Sequence, residues 1–336
     1  MIEGAIEASG ILKVSVIIPT HNRAQSLKST LQLLSSQTLP LDQFEVIVVD
    51  DGSTDDTASV QNDPFPFALN YIHQFNRGSA PARNEGARYA RGDTLVFIDD
   101  DISLEPNYLQ GIVAAREGQN RIIVRGTVLS YRMPEDTPFR ALYARLTVDQ
   151  IMPKCEPFFL DFASNNFAIR REDFFALGQW EEGIAYGGQS LWLDVDLAYR
   201  AFQQGYEFRQ SAEARCYHRD YAIHDLSTYA RRLEMQSRLV TLLFRKHPEL
   251  ECLIPMYRDK TRIVWQGDPP LMIMRKLLRR VSAWGLAPRI LEVLVSMLET
   301  AWPVEALLSP LYRWIVGAYI YRGYHQGLRE MLEKVP

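Results

Sequence analysis

Thr94-Leu-Val-Phe-Ile-Asp-Asp-Asp101 places five strand-forming residues directly before three consecutive carboxylates. Such a run suits a strand buried on both faces, as in a parallel sheet covered by helices. Val14 to Ile18 and Glu45 to Val49 have the same character, and the second leads into its own acidic end, Asp50-Asp51-Gly52-Ser53. Between them Leu27, Leu31 and Leu34 fall at helical spacing within Ala24 to Gln37, which predicts a crossover helix. Leu69 to His73 is expected to form a third strand. Ala80 to Ala90 reads as a second helix, opened by Gly78-Ser79 with Pro81 near its first turn. This repeated strand–helix–strand grammar predicts an α/β fold, Rossmann-like, with a mostly parallel sheet flanked by helices.

Beyond residue 105 the pattern loosens. Ile122 to Tyr131, Asn166 to Arg170, Glu207 to Arg209 and Ala214 to His218 read as strands, and Asp194 to Gln204 as a helix that stops at Gly205. From Leu226 onward the chain reads as helical, with breaks at Pro248, Pro255, Pro269-Pro270, Pro288, Pro303 and Pro310. At 336 residues about two domains are expected. The boundaries are a catalytic domain over 1–225, with a nucleotide half 12–105 and an acceptor half 106–225, and a helical region over 226–336.

With 47% hydrophobic and 23% charged residues the chain is ordinary for a folded protein, which excludes disorder and low-complexity architecture. Cys155, Cys216 and Cys252 form no zinc pattern and no disulfide framework, so a reducing compartment is expected. A net charge of −4 argues against a nucleic-acid partner. Residues 1–10 lack the basic and apolar regions of a secretory leader, and no run reaches the ~18 apolar residues of a membrane span. The charge is unevenly placed. Residues 257–336 hold 12 Lys/Arg against 7 Asp/Glu, so the net charge there is +5 and that of the remainder −9.

Ligands in open α/β sheets bind beyond the carboxyl ends of strands. A lone Asp-Gly after a strand is ordinarily a turn. Three adjacent aspartates repel one another, and a hard divalent cation supplies a reason to gather them. A metal in turn suggests a phosphate ligand.

Val14-Ser-Val-Ile-Ile-Pro-Thr-His-Asn22 followed by Val48-Val-Asp-Asp-Gly-Ser53 resembles the opening of a family 2 inverting glycosyltransferase of the GT-A fold. Asn76-Arg-Gly78, Ala82-Arg-Asn-Glu-Gly86 and Gly92-Asp-Thr-Leu-Val-Phe-Ile-Asp-Asp-Asp101 match the next segment of that family, and the resemblance covers about residues 12–225. It implies a nucleotide-sugar donor, with UDP expected as the carrier, and Mn²⁺ or Mg²⁺ as cofactor. By position Thr20 would line the nucleoside pocket and Asp51 would hydrogen-bond the base edge. Arg83 would lie near the base or diphosphate, or else be a surface helix residue pairing with Glu85 or another acid. Asp99 and Asp100 would approach ribose and metal, and Asp101 would be the main metal ligand. His218 would supply a further ligand from a strand end, with His224 a weaker candidate.

An inverting transfer needs one base to take the acceptor's proton. The family's Glu-Asp pair corresponds here to Leu193-Asp194 after Gly187-Gly188, so Asp194 is the expected base although Leu193 stands where Glu is usual. Asp194 would also suit a helix N-cap. Asp196 is an alternative base or a partner of Arg200 at i+4. Asn165 or Asn166, Trp180 and Trp192 are expected acceptor contacts, with buried packing as the rival for the tryptophans. The acceptor would be a saccharide or a lipid-linked hydroxyl, in polysaccharide, glycolipid or other glycoconjugate biosynthesis.

Leu271 to Trp284 carries Ile273, Met274, Leu277, Leu278, Val281 and Trp284 on one face and Arg275, Lys276, Arg279 and Arg280 on another. No acid occurs from Leu271 to Arg289. A basic amphipathic helix of this kind predicts peripheral attachment of residues 271–289 to an anionic membrane, at the inner face of the cell membrane for a cytoplasmic protein. Packing on the catalytic domain, or on a second subunit in a homo-oligomer, is the alternative. Two other functions share parts of this pattern. A nucleotidyltransferase would carry a glycine-rich phosphate loop, which Thr20 to Arg23 lacks. A non-catalytic nucleotide-sugar-binding scaffold would fail to turn over donor.

Overall fold

The computed structural model describes residues 12–116, 120–129, 137–147, 159–162, 165–182, 185–186, 189–190, 192–218 and 225–333. Cys155, Gly187, Gly188 and His224 lie outside these, as do residues 1–10. The chain folds as two compact units, residues 1–131 with 148–219, and residues 132–147 with 220–336.

The first unit is built on β1 (Val14–Thr20), α1 (Ala24–Leu34), β2 (Phe44–Asp50), β3 (Ala68–His73), α2 (Ser79–Tyr89), β4 (Thr94–Ile98), β5 (Ile102–Leu104), α3 (Tyr108–Arg116) and β6 (Ile122–Leu129). In the second unit α4 (Pro138–Thr147) follows. The first unit continues with β7 (Asn166–Arg170), α5 (Arg171–Ala176), the short pair β8 (Ala185–Tyr186) and β9 (Gln189–Ser190), α6 (Leu193–Gln203) and β10 (Glu207–His218). Among the described residues eight strands form one sheet in the order β3-β2-β1-β4-β7-β6-β10-β5. β3, β2, β1 and β4 run parallel, β7 is antiparallel to both neighbours, and β10 returns parallel to β6. The expected mostly parallel α/β sheet is therefore present.

Alternation along the central strands divides their side chains between two covered faces. Val14, Val16 and Ile18 pack with Leu27, Leu31 and Leu34 of α1 and Ile112 of α3. Ile17 and Val49 point to the opposite face, where α2 lies so close that a Cβ on Gly86 would sit 2.6 Å from Ile17. β3 is one edge strand and alternates exposed with half-buried residues. The two short strands expected at 207–209 and 214–218 are one strand, β10, whose register shifts between Ser211 and Arg215.

The second unit contains α7 (Leu226–Lys246), α8 (Leu250–Leu253), α9 (Pro270–Ser282), α10 (Ala287–Ala301) and α11 (Glu305–Glu333). Two expectations change here. Residues 138–147 belong to this unit, because Phe139 and Leu142 pack with Leu226, Ala230, Tyr312 and Ile315. Pro310 lies inside α11 without ending it. Its missing N–H would have met only a carbonyl of the first turn, and Leu308, Tyr312 and Ile315 hold the helix in the core.

The expected amphipathic helix forms as α9, turned with its apolar face outward. Met274, Leu277, Leu278, Val281 and Trp284 are exposed. Lys276 is 4% exposed, donating to Asp268 at 2.7 Å and to the Arg262 carbonyl at 3.0 Å. Arg279 reaches Asp259 at 3.1 Å. With Arg275 also 3.6 Å from Asp259, three of the four cations of α9 are spent on nearby acids, which explains the orientation.

Glycines set the α7–α11 crossing. A Cβ on Gly323 would lie 1.9 Å from the Glu234 carbonyl oxygen, and one on Gly327 2.2 Å from that of Arg238. Exposed helix glycines usually gain up to ~1 kcal/mol on change to Ala. Here Gly323→Ala must separate two helices, so we expect a loss of about 2 kcal/mol, read as a lower thermal unfolding midpoint.

Candidate active site

Parallel pairing brings three strand ends to one edge. Thr20 and Asp50 are register partners at the ends of β1 and β2, and β4 ends at Ile98 beside β1. The acids that follow β2 and β4 are gathered there by topology. β5 then turns back against β10, with His218 opposite Ile102. A histidine 117 positions away from Asp101 in sequence is thereby delivered to the same place.

Asp99, Asp101 and His218 each offer a ligand atom within 4.8 Å of the others. His218 Nε2 is 3.5 Å from Asp101 Oδ1. That oxygen is buried and has no hydrogen-bond partner, an arrangement that costs free energy unless something else satisfies it. Burial pushes the Asp101 carboxyl up, but His218 and Arg23 outweigh it and hold it below the ordinary carboxylate range. Two carboxylates and an imidazole suit a divalent cation such as Mn²⁺.

Asp100 lies deeper, 4% exposed. It accepts from Thr20 Oγ1 at 2.7 Å and from Arg23 Nη1 at 3.1 Å. Burial pushes its carboxyl up to about 6, with Thr20 and Arg23 opposing and the neighbouring aspartates reinforcing the shift. Thr20 thus orients an acid at the strand edge. Arg83 is buried and donates to Asp99 Oδ1 at 2.5 Å, with its guanidinium 5.8 Å from the Trp180 ring. The surface pairing with Glu85 is not found, since Glu85 pairs with Arg88.

Asp51 is buried at the same edge. Its carboxylate accepts from Gln74 Nε2 at 2.7 Å and from the Arg77 and Gly78 amides at 2.9 and 2.8 Å. Both oxygens are engaged in shaping the loop that opens α2. Asn166 is 3% exposed, and its Oδ1 accepts from Tyr108 Oη and from the Gly126 amide at 3.1 Å. Trp180 is 2% exposed and packed edge-on against Phe97 and Phe167. Neither presents an open face to an acceptor: β7 carries Asn166 into the sheet, and Asn84 binds the Trp180 backbone at both N and O, 3.0 Å each.

Asp194 lies half-buried in the first turn of α6, where a negative charge meets the positive end of the helix dipole. The N-cap is Trp192, so Asp194 is not the cap. Trp192 adopts φ of 69°, a strained conformation for a bulky residue and one concentrated at functional sites. Asp194 lines a small cleft with Phe162, Phe167, Trp180 and Leu197. Asp196 is fully buried and pairs with Arg200 at 2.8 Å, as its i+4 spacing predicted.

Two residues escaped the sequence reading. Arg23 Nη1 bridges Asp100 and Asp101, at 3.1 and 2.8 Å. The available signal was its place just beyond β1, on the edge that collects the acids. Asn84 clamps the 180–182 segment, also donating to Glu182 at 3.0 Å. A polar residue on the buried, alanine-lined face of α2 was its signal.

Residues 15–177 match the model of Glycosyl transferase family 2. These residues form a glycosyl transferase family 2 domain. It is 31% identical over 231 residues to a validoxylamine A glucosyltransferase of Streptomyces hygroscopicus subsp. jinggangensis, covering 60% of this chain and 54% of that protein. It is 32% identical over 146 residues to an undecaprenyl-phosphate 4-deoxy-4-formamido-L-arabinose transferase of Yersinia enterocolitica, covering 42% and 43%. The chain spans about half the length of these curated relatives. Among solved structures it is similar to a mannosyltransferase of Pyrobaculum calidifontis in complex with GDP-Man and Mn²⁺. The TM-score is 0.61 at 20% identity, over 95% of this chain and 87% of that one, a likeness of fold. The likeness of fold gives the expected GT-A architecture with a helical C-terminal region.

The orphaned Asp101 oxygen makes the metal test direct. Mn²⁺ in hundredfold excess over its Kd is expected to stabilise the wild type by about 2.7 kcal/mol in thermal unfolding. Asp101→Ala and His218→Ala should each lose most of that effect.

Proposed function

We propose that this chain is a metal-dependent inverting glycosyltransferase that moves a sugar from a nucleoside-diphosphate sugar to an acceptor hydroxyl. The observation that carries this reading is the Asp99–Asp101–His218 cluster with its unpartnered buried oxygen, at the strand edge of a family 2 domain. A divalent cation held there would offset the charge developing on the departing diphosphate. Arg83 and Asp99 form one wall of the donor site, and Thr20 and Arg23 set the orientation of Asp100. UDP is the carrier that the family resemblance implies, and the Pyrobaculum mannosyltransferase of similar fold holds GDP-Man. The nucleoside is therefore assigned by assay of both donors.

Asp194 is the proposed base. It accepts the acceptor hydroxyl proton while that oxygen bonds to the anomeric carbon and the bond to the diphosphate breaks, which inverts the anomeric centre. Its half-buried place beside Trp180 and Phe162 leaves one carboxylate near an apolar cleft in the segment where an acceptor would lie. Trp192 at the strained entry to α6 remains the proposed aromatic acceptor contact. A lipid-linked acceptor is consistent with the Yersinia relative, whose name specifies undecaprenyl phosphate. Asp194→Asn should lower transfer at least ~100-fold with donor affinity unchanged. Near-normal turnover in that variant would remove Asp194 from the mechanism. Release of pyrophosphate from a nucleoside triphosphate would instead favour nucleotidyl transfer.

The same proposal includes a peripheral membrane contact through residues 271–289. Among the described residues no helix is long and apolar enough to cross a membrane, while α9 and α10 meet at a bend of 88°. Leu271, Met274 and Val281 on α9, Trp284 just after it, and Ile290, Val293 and Met297 on α10 are all at least 50% exposed. An interfacial Trp beside a segment free of acids suits an anionic lipid surface at the inner face of the cell membrane. Flotation with phosphatidylglycerol vesicles at low salt should carry the wild type upward and leave a Leu277→Glu/Val281→Glu variant behind. Self-association on this face, read by sedimentation without vesicles, would point to a second subunit.

A further inference from the structure

The helical unit contains a cavity of about 650 Å³ between α9, the segment at 261–265 and the end of α11. Its wall includes Arg262, Lys276, Arg280, Arg322, His325 and Arg329, and no Asp or Glu. Two of these cations are neutralised, Lys276 by Asp268 at 2.7 Å and Arg322 by Glu234 at 2.7 Å. The other three guanidiniums, of Arg262, Arg280 and Arg329, are exposed. Among the described residues they form no ion pair. Three uncompensated guanidiniums on one cavity repel one another and are tolerated only because water screens them.

Their convergence registers on His325. Its Nε2–H donates to the Lys260 carbonyl at 2.9 Å, and its ring lies 4.1 Å from that of Tyr321, tilted by 38°. Burial pushes its imidazole below the ordinary value, the Lys260 contact opposes this, and Arg329, Arg262 and Arg280 push it further down. These three come from the loop before α9, from α9 and from α11, so the focus is made by tertiary structure rather than by one basic helix. On the rim, Trp265 and Trp284 are 71% and 84% exposed, and Leu332 is 65% exposed.

We infer that this cavity is a binding site for a phosphate group carrying at least two negative charges, a phosphomonoester or pyrophosphate. Planar guanidinium forks match phosphate oxygens in bidentate fashion, and a dianion offsets repulsion that a single carboxylate would not. The apolar rim fits the case in which that group is the head of an amphiphile whose chain leaves along the outer face of α9. This inference does not rest on glycosyl transfer, since it concerns the helical unit alone.

Inorganic pyrophosphate is the soluble probe, titrated into the full chain at low salt without metal and followed by calorimetry and Trp fluorescence. Binding is expected, and Arg280→Glu/Arg329→Glu should weaken it tenfold or more; both positions are exposed, and an unchanged thermal midpoint verifies that the variant folds. Arg262→Ala, milder, should weaken it several-fold. Vesicles of phosphatidylcholine containing phosphatidic acid or, at equal charge, phosphatidylglycerol distinguish the source. A preference for phosphatidic acid that the double variant loses supports a lipid head group. Pyrophosphate binding with no such preference supports a soluble phosphate ligand. No pyrophosphate binding by the wild type, or equal binding by the double variant, overturns the site. Mn²⁺ and donor binding by the same variants should be unchanged, so failure here leaves the glycosyltransferase reading standing and the converse also holds.

Discussion

Crowding of negative charge at one sheet edge is the constraint on which the rest of this structure depends. Parallel β1, β2 and β4 end together, and Asp99, Asp100 and Asp101 follow the innermost of them. Three adjacent carboxylates cannot all remain ionised in a partly buried site without compensation. The protein divides the load. Asp100 is buried, pushed up to about 6 and held by Thr20. Asp99 is paired with the buried Arg83. Asp101 takes Arg23 and His218 and still keeps one oxygen without a hydrogen bond. The residual demand is for a cation, and that demand connects the fold to phosphate chemistry.

The remaining architecture serves that edge. Asp51 gives its carboxylate to the 74–78 loop, which starts α2 and so places Arg83. Gly52, at φ of 79°, passes Asn76 so closely that a Cβ would lie 2.8 Å from its amide nitrogen. Asn84, next to Arg83 on α2, carries the polypeptide that holds Trp180 under the guanidinium. A wall of paired Arg83 and Asp99 is thus assembled from local turns and one helix face, and such fixed charges are the condition for electrostatic preorganisation.

The parallel half was legible because buried strands and their acidic ends carry a period and a composition that depend on little else. β7 over 166–170 was legible for the same reason. The site was less so. Partner choice inside a cluster is decided by geometry across the sheet. Arg23 and Asn84 have no periodic signal, and neither the burial of Asn166 and Trp180 nor the loop partners of Asp51 can be read from residue type. The three-residue β5 was too short to show, yet it is the strand that delivers His218. In the helical unit the amphipathic pattern of 271–284 was correct, while its orientation was decided by Asp259 and Asp268, remote from the pattern itself. Helical spacing tells two faces apart; internal acids chose which one turned inward.

The central claim is that the strand-edge acids and His218 hold a divalent cation against a nucleoside diphosphate. Anomalous diffraction from crystals grown with Mn²⁺ and a nucleoside diphosphate tests it most directly. A single strong peak within bonding distance of Asp101 and His218 is the result this account predicts. A fully loaded nucleotide with its Mn²⁺ elsewhere, and Asp101 still facing only Arg23 and His218, would contradict it.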